Sequence, residues 1–212
     1  MTWPLALERL LAARAAGARP ERGGWAVIGS VASALQGCVL RPRDVDLLVA
    51  QPEDVARWAA FMAPFAGPPD GHADGSDAWR STSACPVHSG PDAYGFVWHF
   101  ARSYLAGCEV EVAHIAPPEG FPTSVDGAGI WEAGPEIWPH VKTVAFGGRQ
   151  VPVVPLEIQL ETAMARELPE RVDEILAVLR LRGHDAELLR RSLRPRHREA
   201  VAAVLGTHPD GA

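Results

Sequence analysis

Asp44 and Asp46 stand two apart in Asp-Val-Asp-Leu, thirteen residues after Ile28-Gly29-Ser30. A third carboxylate, Glu111, lies between Val110 and Val112. Residues two apart on a strand share one face. Two acids on such a face, with a third on a neighbouring strand, form a set of hard oxygen ligands suited to Mg²⁺. Sets of this kind can hold two divalent ions about 4 Å apart, which serve attack on a phosphoryl group by neutralising it and by acidifying the attacking hydroxyl. Without metal, two like charges 4 Å apart repel by about 4 kcal/mol at an effective dielectric near 20. The cluster therefore reads as a metal site rather than as scaffold. Glu109 shares the face of Glu111 and is the alternative third acid.

The glycine–serine pair supplies a place for the phosphates. Gly29 lets the backbone approach an anion closely, and Ser30 opens a run of small residues, Val31 to Leu35, that reads as a helix. The Ser30 hydroxyl adds a hydrogen bond. Positioning these groups requires a strand before the turn, at Trp25–Ile28, and a second at Asp44–Val49. Pro52-Glu53-Asp54 then opens a helix to about Met62, with its acids where the helix dipole favours them.

Further along, Leu5 to Ala16 carries apolar residues at helical spacing. Residues 66–92 show no period and predict a long binding loop or lid. Tyr94 to Ala101 alternates as a strand, with Cys108 to Ile115 as its antiparallel partner. The stretch from Pro117 to Pro139 reads as a connection rich in Pro and Gly. Val141 to Val154 reads as a hairpin turning at Gly147-Gly148. After Pro155 the pattern becomes helical, in segments from Leu156, Arg171, Ala186 and Pro195. The expected fold class is α+β, a mixed sheet with flanking helices, divided into residues 1–154 and a C-terminal helical appendage at 155–212.

The series Ile28-Gly29-Ser30, Asp44-Val45-Asp46-Leu47 and Val110-Glu111-Val112 resembles the DNA polymerase β-like nucleotidyltransferase superfamily. The order of parts resembles its small bacterial branch of antibiotic nucleotidyltransferases and toxin-type members. The resemblance implies transfer of a nucleoside monophosphate from a nucleoside triphosphate to a hydroxyl acceptor, a small molecule or a tRNA or protein. It implies Asp44, Asp46 and Glu111 as catalytic residues and ligands of two Mg²⁺ ions, with Gly29 and Ser30 at the triphosphate. The lysines common in the helical region of that branch are absent here; Thr162, Ala163 and Glu170 stand near their places. Arg41, Arg43 and Lys142 are the candidate substitutes. The alternative is a relative that kept the fold as a nucleotide-binding or interaction module and lost turnover.

Composition narrows the partners. The formal net charge is −6, yet Arg180 to Arg198 holds seven arginines against Asp185 and Glu187, a local +5, so the remainder carries −11. An acidic body argues against a broad phosphate footprint, so nucleic acid is a partner only through Arg180–Arg198 and is not favoured. Nineteen arginines stand beside one lysine, a ratio that resembles the codon bias of a GC-rich bacterial genome. Three widely spaced cysteines suit a reduced, cytoplasmic chain. No apolar run reaches the length of a membrane span, and no signal peptide is evident. Cys85-x-x-His88 lacks the partners of a four-ligand zinc site.

Overall fold

The computed structural model describes residues 3–16, 23–64 and 79–206. Helix α1 (Trp3–Ala15) precedes strand β1 (Trp25–Ile28), helix α2 (Gly29–Leu35), strand β2 (Asp44–Val49) and helix α3 (Pro52–Met62). Strands β3 (His88–Pro91), β4 (Val97–Leu105) and β5 (Cys108–Ala116) follow. A 3₁₀ helix at Pro135–His140 leads to the hairpin β6 (Lys142–Phe146) and β7 (Arg149–Val153). Helices α4 (Leu156–Ala165), α5 (Pro169–Arg182), α6 (Ala186–Ser192) and α7 (Pro195–Leu205) complete the chain.

The seven strands form one mixed sheet in the order β3-β4-β5-β2-β1-β7-β6. β2 runs antiparallel to β1 and parallel to β5, and β1 runs parallel to β7. Alternation divides β2 between two faces. Val45, Leu47 and Val49 enter a core with Leu7, Leu10 and Leu11 of α1 and Val55, Trp58 and Met62 of α3. On the other face Leu48 joins Ala26, Ala113, Ile130, Ile137 and Ile158. The acids of β2 alternate with the first set and so share the second face.

The helices after Pro155 form a third cluster around Leu160, Ile175, Leu179 and Leu193. They also touch the sheet directly: Ile158 of α4 and Leu188 of α6 sit in the core beneath it. Among the described residues no helix is long and apolar enough to cross a membrane.

Three expectations change in detail. The expected loop at 66–92 falls partly on residues 65–78, outside the described residues, but its end forms the edge strand β3, paired with β4 from His88↔Phe100 to Pro91↔Val97. His-Ser-Gly-Pro has no alternation, so only the partner strand reveals it. β4 begins later than expected because the Asp92 carboxylate accepts from Tyr94 N (2.8 Å) and Phe96 N (3.0 Å), closing a turn there. Within the Pro117–Pro139 connection, Ile130 and Ile137 are fully buried core residues.

A buried polar network ties α5 to α2. The Arg171 Nη2 donates to Glu132 Oε2 and to Gln159 Oε1, both at 2.8 Å, and its Nε donates to Ser33 Oγ (3.2 Å). Ser33 Oγ donates to Gln159 Oε1 (2.5 Å), and Gln159 Nε2 donates to Val154 O (2.6 Å). Side-chain exposure is 9% for Arg171 and 5% for Glu132. Removing one partner of such a pair leaves a buried, uncompensated charge. Arg171→Met should therefore lower the unfolding free energy by about 3–5 kcal/mol, and the double variant Arg171→Met/Glu132→Met should recover most of that loss. Equilibrium denaturation of the two variants checks this; equal losses would contradict it.

Candidate active site

The β2–β5 pairing brings the predicted acids together in register. Asp44 lies opposite Glu109, and Asp46 opposite Glu111. Because paired residues of adjacent strands point the same way, all four carboxylates occupy one face, next to the β1–α2 turn that pairs Ile28 with Asp46. The register sets Glu111, rather than Glu109, beside Asp46.

Gly29 is required at the turn. Its φ is +68°, and a Cβ there would stand 2.7 Å from Asp46 Oδ2. The Asp46 carboxyl is thus pressed against bare backbone. Burial pushes its pKa up to about 7, and the charges of Asp44, Glu111 and Glu132 push the same way, while Arg171 opposes them. A half-buried acid crowded by three others has the character of a group that awaits a cation.

Glu111 already has a cation. Arg102 of β4 donates to Glu111 Oε2 from Nη2 (2.6 Å) and from Nε (3.1 Å), and its Nε lies 3.3 Å from Glu109 Oε1. Tyr104 OH donates to Glu109 Oε2 (2.8 Å). Among the described residues no three His, Cys, Asp or Glu side chains converge closely enough to hold a metal ion. The donor set of Asp44 and Asp46 fits Mg²⁺ in its chemistry and in the crowding of Asp46 by other acids. Glu111 is turned to Arg102.

Ser30 faces a cleft of about 1310 Å³, lined by Arg41 and Arg43 on one side and by Glu170, Arg171 and Glu174 of α5 on the other. Two candidate phosphate-binding arginines thus share a wall with Ser30. Lys142 does not join them. It lies on β6, paired with Val153 and separated from β2 by two strands, β1 and β7. It alternates in phase with Val144 and Phe146, which pack against the core on the face opposite Asp46. The hairpin register turns its side chain away from the acids.

The Arg180–Arg198 stretch is bound into the fold. Arg182 donates to Gln36 O (2.9 Å), Arg190 to Glu187 Oε1 (2.8 Å), Arg194 to Ala128 O (3.1 Å) and Arg198 to Leu193 O (3.1 Å).

Sequence reasoning missed Arg102, Glu132 and Arg171. Arg102 carried a signal: the two-residue turn Ala106-Gly107, both at positive φ, pairs Leu105 with Cys108 and so fixes Arg102 opposite Glu111. Arg171 stands four before Ile175 on the apolar stripe of α5, a charged residue on a buried face. Glu132 lies in an aperiodic stretch and carried none.

No protein-family model matches the chain, and no curated protein matches it. Among solved structures, a putative nucleotidyltransferase (TM1012) from Thermotoga maritima superposes with a TM-score of 0.53 at 19% identity, over 86% of this chain and 97% of that one. The chain has a nucleotidyltransferase-like fold. At that identity the likeness speaks for the fold, and the chemistry must be argued from the acids themselves.

Two outcomes follow from the geometry of Gly29 and Asp46. Gly29→Ala forces a Cβ onto Asp46 in a backbone region that suits glycine, and should cost at least about 1 kcal/mol of stability, measured by denaturant melts. A wild-type-like melt would show that the turn relaxes freely. The second concerns pH. With its pKa near 7 in the folded chain against an ordinary 3.8, Asp46 holds a proton that the unfolded chain has released. Its contribution therefore falls as pH rises from about 4 to 7, by up to about 4 kcal/mol. Asp46→Asn should flatten that slope in metal-free protein and be more stable than wild type at pH 8.

Proposed function

We propose that this chain is a Mg²⁺-dependent nucleotidyltransferase that moves a nucleoside monophosphate from a nucleoside triphosphate onto a hydroxyl acceptor. The observation that carries the reading is the Asp46–Gly29 contact, with Asp44 beside it and Glu111 in register on the parallel strand. A divalent ion bound there would neutralise the triphosphate and acidify the attacking hydroxyl. Asp44 and Asp46 are the residues to hold it. Ser30, Arg41 and Arg43 line the cleft in which the phosphates would lie. Arginine side chains suit phosphate oxygens through their fixed fork of donors, and they take the part that lysines play in the branch this sequence resembles. The Arg171 hydrogen bond to Ser33 holds α5 against α2, keeping the α5 wall of the cleft in place.

Arg182, Arg191, Arg194 and Arg198 are engaged within the fold, which together with the acidic body favours a small hydroxylated acceptor over a nucleic acid. A second reading has one observation in its favour. Arg102 engages Glu111, the third of the catalytic acids that the resemblance implies, which suits a module that binds nucleotide without turnover.

A calorimetric titration with each nucleoside triphosphate in the presence of Mg²⁺ tests the proposal. Wild type should bind, and Asp44→Asn/Asp46→Asn should lose binding by at least tenfold while keeping its fold by circular dichroism. Equal binding by both chains would remove the carboxylates from the assignment. Binding without release of pyrophosphate, across a panel of hydroxylated acceptors, would favour the module without turnover.

A further inference from the structure

We propose that Arg102 stands in place of one of the two divalent ions expected at this site, so that the chain holds a single ion, on Asp44 and Asp46. The inference rests on the metal-dependent reading above and concerns how many ions the site takes.

Arg102 is built in rather than resting on the surface. Its two donors converge on Glu111 Oε2, its Nε also approaches Glu109 Oε1, and its Nη1 donates to Trp79 O (3.4 Å). Its own backbone is clamped: Arg102 N donates to Ser81 Oγ (2.9 Å), and Ser81 N donates to Arg102 O (3.1 Å). Trp79 packs edge-on against Phe100, whose ring lies 5.6 Å from the guanidinium carbon. The two-residue hairpin turn sets the register that delivers this side chain to Glu111. Backbone, register and side chain thus agree on one place for the cation.

The four acids are consequently divided. Glu109 and Glu111 have Arg102 and Tyr104 as donors. Asp44 and Asp46 have no salt-bridge partner among the described residues, and they are the pair nearest the Gly29 turn. A guanidinium is always charged and offers only donors, so it satisfies a carboxylate much as a metal ion does and repels a second cation beside it. A divalent ion on Glu111 would have to displace a group held from several sides. One on Asp44 and Asp46 displaces nothing.

The test is a count of bound Mn²⁺ on the full chain, from the electron paramagnetic resonance signal of the free ion at neutral pH. Wild type should bind one ion per chain, Arg102→Met two, and Asp44→Asn/Asp46→Asn none. Arg102→Lys keeps the positive charge and should remain at one, which serves if the methionine variant does not fold. Two ions on wild type would overturn the inference and leave the metal-dependent reading standing. A single ion on a folded Arg102→Met would also overturn it, since Arg102 would then exclude nothing. No ion on any chain would remove the metal-dependent reading and this inference together.

Discussion

The parallel pairing of β2 with β5 is the constraint around which the rest of the structure is arranged. It stacks Asp44 against Glu109 and Asp46 against Glu111, four carboxylates on two adjacent rungs. Neighbouring strands lie about 4.8 Å apart, so these charges cannot avoid one another by backbone geometry. Hydrophobic burial on the opposite face holds the strands in place regardless: Val45, Leu47, Val110 and Val112 are all buried there. A shift of one residue would move the acids into that core, so burial of one face enforces the charge cluster on the other.

Two arginines answer the cluster from different directions, and they are not equivalent. Arg102 reaches across from β4 and takes Glu111 and Glu109 at a partly open edge. Arg171 comes from α5 and is almost wholly buried. Its charge is matched by Glu132, so it adds little net positive charge below the sheet, and Glu132 itself raises the pKa of Asp46. The buried pair is better understood as a joint. Its hydrogen bonds to Ser33 and Gln159 fix α2, α4 and α5 to one another within a few side chains of the acids. A buried ion pair is a poor source of net stability, but it does specify which helix faces meet.

Much of this was legible in the sequence because the informative elements are short and strictly patterned. β1, β2 and α3 lie where their apolar spacing, Pro52 and the acids of the first turn predict. The Gly-Ser turn and the two aspartates were readable because one requires a backbone that approaches closely and the other a shared strand face. What was not legible depends on contacts between distant parts. Glu132 sits in a connection without a period, and its role exists only once α5 delivers Arg171 to it. Lys142 looked usable as a cation, but strand phase turned it to the wrong face. Arg102 lay between the two cases: the strand expected from alternation stopped at Ala101, one residue short of it, and only the register set by the Ala106-Gly107 turn places it opposite Glu111.

The position of Asp46 links folding to binding. In the free protein its carboxyl is half-buried, set against Gly29 and surrounded by acids, so ionising it opposes the fold. A ligand that binds only the folded chain stabilises it in proportion to RT ln(1 + [L]/Kd). A cation at Asp44 and Asp46 would relieve the opposition and add that stabilisation at the same place. The carboxyl packed against the Gly29 turn is therefore also the one with most to gain from a bound ion. Arg102 limits the effect by engaging the two acids of β5 in advance, leaving those of β2 as the unsatisfied half of the cluster. Both faces of β2 hold the carboxyl there: a hydrophobic core on one, and on the other a turn that admits no side chain.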